Sequence, residues 1–189
     1  SMVLRCGGVR VQVIDSPGHV DFLGEVERCL TVLDGAVLVL SAVEGVQAQT
    51  RLLWRALESL GIPTLLVVNK VDRLGCDIEG VVRQLREECS PRLLATQQVE
   101  RPGTGQCQIL ESPGFWENAL AAAAEYDDAL AEAFLEDRPV DRDSLLASLR
   151  KGVADRQVFP LLFASAKLGR GMPELLRGIT QWLPFAPDR

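Results

Sequence analysis

The sequence predicts an α/β fold: a mostly parallel sheet with helices on both faces. Three observations carry this expectation. Short, continuously apolar runs recur at residues 35–42 (GAVLVLSA), 63–69 (PTLLVVN) and 158–164 (VFPLLFA), as in strands covered on both faces. Segments with apolar residues at helical spacing separate them, and this alternation is the signature of parallel strands joined by crossover helices. The candidate strands end in polar or tight-turning residues, Asp15, Ser41 and Asn69, and ligands of such sheets bind at the carboxyl ends of strands.

Along the chain, residues 9–15 (VRVQVID) alternate apolar and polar residues and close on an acid, which reads as a strand. Ser16-Pro17-Gly18 breaks it. Phe22, Val26, Cys29, Leu30 and Leu33 then recur as one face of an amphipathic helix. After the strand 35–42, residues 47–60 form a helix with Leu52, Leu53, Ala56, Leu57 and Leu60 inward, stopped by Gly61. The strand 63–69 and a helix over 78–89 follow. From about residue 90 the rhythm breaks. A hairpin is expected from 93–100 and 106–111 around Pro102-Gly103, then an alanine-rich helix over 116–124. Acidic helical segments carrying Glu125, Asp127, Asp128, Glu132, Glu136 and Asp137 come next. Residues 90–157 read as an insertion packed on a single domain spanning 1–189. The strand 158–164, the loop Gly169-Arg170-Gly171 and a helix over 173–183 restore the parallel pattern.

Composition narrows the class. Apolar residues make up 47% and charged residues 24%, enough to bury a core. No apolar run reaches the ~18–20 residues of a membrane span, and no basic and apolar leader opens the sequence. With a net charge of −6, bulk electrostatics does not favour coating nucleic acid, so any RNA contact is local. Five cysteines without a C-x-x-C pair suit free thiols in a reducing cytoplasm. His19 is the single histidine, which rules out a histidine-rich metal site.

Three short motifs at strand ends carry the chemistry. In Asp15-Ser16-Pro17-Gly18-His19, the acid can hold a Mg²⁺-bound water, Gly18 lets its backbone N–H approach a terminal phosphate, and His19 can orient an attacking water. In Asn69-Lys70-Val71-Asp72, the Asp72 carboxylate offers two acceptor oxygens to a guanine N1–H and 2-amino group. Asn69 can brace the loop and reach the N7 side, and the Lys70 stem can lie against the ring. In Ser165-Ala166-Lys167, the Ala166 N–H can donate to guanine O6 and Lys167 can cover the other face. Each motif alone is a common polar turn; together, in this order and after buried strands, they describe a guanine-nucleotide site.

The three motifs resemble the third, fourth and fifth G-boxes of P-loop GTPases. The wording D-S-P-G-H-V-D-F, residues 33–51 (LDGAVLVLSAVEGVQAQTR) and N-K-V-D-R-L-G-C-D are similar to translational GTPases of the elongation factor G superfamily. Within it, G-V-Q-A-Q-T-R, the S-A-K box and the long insertion most resemble the Tet(M)/Tet(O)-type ribosomal protection proteins, which displace tetracycline from the ribosome. The resemblance covers residues 9–77 and 158–184 and is loose across the insertion. It implies a P-loop GTPase-like sheet, GTP or GDP with Mg²⁺ as cofactors, and the ribosome as partner. It places Asp15 in the second shell of Mg²⁺, Pro17 and Gly18 at the phosphates, and His19 as the residue that positions the hydrolytic water. Asn69, Lys70, Asp72, Ser165, Ala166 and Lys167 hold the guanine. A housekeeping elongation factor G-like role is the alternative; one of another class is a nucleotide-independent binding module.

No G-x-x-x-x-G-K-[ST] occurs in the 189 residues, and nothing before Val9 can supply the switch loop. The chain therefore reads as a fragment of the GTP-binding domain without its P-loop strand, with little hydrolysis and weak nucleotide binding expected. Two structural outcomes follow: direct pairing of strand 9–15 with strand 35–42, or dimerisation through the exposed sheet edge.

Overall fold

The computed structural model describes residues 2–15, 30 and 32–185. Its centre is a four-stranded, wholly parallel sheet in the order β3 (Ala36–Ser41), β4 (Thr64–Asn69), β8 (Phe159–Phe163), β5 (Leu93–Ala95). Six helices accompany it among the described residues: α1 (Ala48–Ser59), α2 (Ile78–Glu88), α3 (Phe115–Ala123), α4 (Asp128–Leu135), α5 (Arg142–Ala154) and α6 (Met172–Trp182).

The two-residue period of the strands sorts the core into two layers. Leu66 and Val68 of β4 and Leu161 and Phe163 of β8 point to one face, where α1 and α2 bring Trp54, Leu57, Val81 and Leu85. The Trp54 and Phe159 rings meet edge-on with centroids 4.9 Å apart. Leu65, Val67 and Leu162 point to the other face, covered by Phe115 and Ala119 of α3, Leu145, Leu149 and Val153 of α5, and Trp182 of α6. Burial on both sides explains why β4 and β8 read as unbroken apolar runs.

Among the described residues, the helices expected after residue 45 and the buried strands lie within one or two residues of their expected bounds, with local causes at their ends. Asp77 caps α2 by accepting from Gly80 N–H at 2.9 Å. Gln47 and Thr50 form a reciprocal cap on α1. Leu60, expected inward, lies past the end of α1 and is 43% exposed, because Gly61 turns the chain away. Of the helix expected through Phe22, Val26, Cys29, Leu30 and Leu33, the first three lie outside the described residues, Leu30 is helical and Leu33 is not.

Two differences bear on topology. Residues 9–15 do not pair with β3. Instead β2 (Val9–Val13) forms an antiparallel hairpin with β1 (Met2–Cys6), a strand the sequence reading missed. The Gly7-Gly8 turn, with φ of +57° and +82°, makes this local closure cheap, whereas parallel pairing with β3 requires a long crossover. The hairpin rests against α6, where Cys6 Sγ lies 3.5 Å from Leu176 O. The second difference is in the expected 93–100 arm, which splits at Thr96. Its first half, β5, joins the central sheet beside β8. Its second half, β6 (Gln97–Glu100), pairs with β7 (Gln108–Glu111). Leu94, 3% exposed, is the physical reason: sheet pairing buries it against the helical layer.

The acidic stretch is partly structural. Asp127 caps α4, accepting from Ala129 and Leu130 N–H, and also accepts from Ser148 Oγ of α5 at 2.7 Å. The Ser148 hydroxyl first, and then the two backbone N–H groups, hold the carboxyl below the usual carboxylate range. A depressed folded pKa stabilises above the unfolded value and stops doing so as pH falls through the folded one. Asp127→Ala is thus expected to cost about 1 kcal/mol at neutral pH, with the difference from wild type closing in acid. Urea midpoints at the two pH values check this.

Candidate guanine-nucleotide site

Parallel register brings the ends of β3, β4 and β8 to one rim: Ser41 lies beside Asn69, and Val68 beside Phe163. The loops leaving them are tied together at once. Ala42 N–H donates to Asn69 O at 2.8 Å, Asp77 N–H to Ala42 O at 2.9 Å, and Val71 N–H to Ala164 O at 3.3 Å.

On this rim two of the three motifs become one cluster. Asn69 Oδ1 accepts from Lys70 N–H at 2.7 Å and from Ala166 N–H at 3.0 Å, so one side chain bridges both loops. Ser165 is fully buried; its hydroxyl donates to Asp72 Oδ1 at 2.6 Å and accepts from Leu168 N–H at 3.3 Å. Residues 166–168 form a single 3-10 turn capped by Ser165, which leaves Ala166 and Lys167 exposed. Lys70 adopts a left-handed φ of +66°, a conformation that costs a non-glycine residue on the order of 1 kcal/mol or more. Asn69 Oδ1 holds the Lys70 N–H in that turn.

The structure adds one partner that the sequence reading missed. Lys70 Nζ sits 3.2 Å from both carboxylate oxygens of Glu44, in the turn after β3. No spacing rule links residues this far apart; only the β3–β4 register does. The Ala166 N–H, expected at guanine O6, donates to Asn69 Oδ1 in this ligand-free structure.

Of the expected hydrolytic motif, the described residues include Asp15. Asp15 is exposed just beyond β2, outside the central sheet. Pro17, Gly18 and His19 lie outside the described residues. Among the described residues no three His, Cys, Asp or Glu side chains gather as a metal-ligand cluster, and no helix is long and apolar enough to cross a membrane.

The rim thus gathers the Asn69–Asp72 and Ser165–Lys167 loops into one bonded cluster. Residues 2–185 match the elongation factor Tu GTP-binding domain family. The chain belongs to that family. It is 43% identical to the oxytetracycline resistance protein of Streptomyces rimosus, covering 93% of this chain and 28% of that protein. It is 41% identical to the tetracycline resistance protein TetM of Streptomyces lividans, over 95% of this chain and 28% of that protein. It is 34% identical to elongation factor G 1 of Geobacter sulfurreducens, over 95% of this chain and 30% of that protein. A crystal structure of a Thermus thermophilus protein superposes with a TM-score of 0.84 at 28% identity, covering 96% of this chain and 31% of that one. The chain thus spans less than a third of the length of these relatives.

Proposed function

We propose that Asn69, Lys70, Asp72, Ser165, Ala166 and Lys167 read the guanine of GTP or GDP, and that the chain serves this role within a ribosome-associated translational GTPase of the tetracycline-protection type. The carrying observation is the Asn69–Ala166 and Asp72–Ser165 bonding, which joins two loops nearly a hundred residues apart. A guanine fits this donor set. The part-exposed Asp72 carboxylate can accept from N1–H and the 2-amino group, Asn69 Nδ2 can donate to N7, and the stems of Lys70 and Lys167 can flank the ring. The Ala166 N–H would turn from Asn69 Oδ1 to the base O6. The bound nucleotide supplies the phosphoanhydride that a GTPase cleaves; Asp15 would hold Mg²⁺ through water, and His19 would orient the attacking water. The higher identity to the tetracycline resistance proteins supports ribosomal protection. The match to elongation factor G keeps a translocation-type factor as the second reading.

Calorimetric titration with GDP, and with ADP as control, tests the base-reading site. The base-reading loops are expected to bind GDP weakly in this 189-residue chain, which carries no G-x-x-x-x-G-K-[ST] loop, and to discriminate against ADP. Equal binding of both, or of neither, overturns the guanine reading and leaves the binding-module alternative.

A further inference from the structure

The β6–β7 hairpin, which the sequence reading assigns to the insertion, touches both base-reading loops. On the Asn69–Asp72 side, Gly103 N–H donates to Val71 O at 2.8 Å, and Cys76 Sγ donates to the same carbonyl at 3.4 Å. Gly103 sits at φ +77°, with Arg73 O and Cys76 Sγ 3.5 and 3.7 Å from where a Cβ would lie, so the hairpin tip lies flush on the loop. On the Ser165–Lys167 side, Arg170 exchanges two backbone bonds with Ser165, at 3.0 and 3.1 Å. Its guanidinium Nη1 donates to Cys107 O and lies 3.5 Å from Cys107 Sγ.

The hairpin is itself fixed. Cys107 is fully buried, and Cys107 N–H donates to Thr104 O at 3.1 Å. Thr104 Oγ1 donates to Arg101 O at 2.8 Å, closing the turn. Gln97 Oε1 accepts from Phe163 N–H at 2.9 Å, pinning the hairpin base to β8. A two-stranded ribbon is marginal alone, so these anchors make it a rigid spacer.

Resting on the guanine reading above, we propose that this hairpin sets the separation of the two base-reading loops, with Arg170 as the positioning residue that locks it to the Ser165–Lys167 loop. Asp72 reaches its place through Val71, whose carbonyl the hairpin tip holds, and Ala166 reaches its place through Ser165, which Arg170 holds. Holding one base between Asp72 and the Ser165–Lys167 loop needs both loops within about 0.5 Å of the productive geometry. Arg170 thus acts on guanine selectivity without touching the base.

The test uses this chain with Arg170→Ala and Arg170→Lys, with two readouts. Amide hydrogen exchange by NMR follows Ala166 and Leu168, which neighbour Arg170, and the hydrogen-bonded amides of Lys70 and Val71, which it does not touch. Calorimetry compares GDP with IDP, whose base lacks the 2-amino group and so reports Asp72 alignment. Arg170→Ala is expected to speed exchange in both loops roughly tenfold while Leu66 and Val68 keep their protection, and to narrow the GDP-to-IDP preference by a similar factor. Arg170→Lys, which retains a cationic donor for Cys107 O, should restore most of both. Faster exchange confined to the Ser165–Lys167 loop, a uniform loss of protection, an unchanged preference ratio, or no rescue by lysine overturns the proposal. Failure of the wild-type chain to prefer GDP over ADP instead sinks the guanine reading; the exchange data then still decide whether the hairpin couples the loops.

Discussion

Asp72→Asn is expected to weaken GDP binding roughly 10- to 100-fold and to shift base preference toward xanthine nucleotides. The carboxylate presents acceptors only, matching the two donors on the guanine edge. Asparagine presents one acceptor and one donor, which matches a xanthine, where a carbonyl replaces the 2-amino group. The fold should tolerate the change, because the bond from Ser165 Oγ to Oδ1, 2.6 Å in the structure, can persist with an amide oxygen. Titrations of GDP and XDP against both proteins measure it. Unaltered GDP affinity in the variant would show that Asp72 does not read the base.

Gly171→Ala is expected to be the most damaging single-methyl change near the site, destabilising the chain by about 2–4 kcal/mol. Two causes add. Gly171 has a φ of +75°, which costs an alanine on the order of 1 kcal/mol. Its Cβ would also collide with Phe163 O and fall 2.9 Å from Ile109 Cδ1 and 3.2 Å from Ala164 Cα. Phe163 is buried in β8 and cannot retreat without breaking its pairing to β4. Gly169 supplies the control: its φ is +67°, but nothing lies within 4 Å of a Cβ there, so Gly169→Ala should carry the conformational cost alone. Urea midpoints of the two variants separate clash from strain; equal shifts would mean that the contact at Phe163 relaxes freely.

Much of the candidate site was legible because its parts are local. The polar turns after β4 and β8 follow strands whose apolar runs are long enough to name, and strand ends in a parallel sheet share a rim. The Gly7-Gly8 hairpin was missed although its turn signal is strong, because residues 2–6 were too short to stand out without their partner. The split at Thr96 was missed because periodicity cannot tell a strand that continues from one that changes sheets. Glu44, Gly103, Cys107 and Arg170 gave no signal as site residues, since each reaches the site through a contact with a distant segment.

Composition and pattern, by themselves, determined that this chain builds a parallel α/β sheet and that two polar loops, Asn69–Asp72 and Ser165–Lys167, leave its strands. Both depend on side-chain period and residue type, which are properties of a local window. Tertiary structure alone decided which strands are neighbours, that β2 folds back on β1 and does not join β3, and that the β6–β7 hairpin braces the rim. Those outcomes depend on which distant segments can bury apolar surface and satisfy backbone groups together, a competition settled only once the whole chain packs.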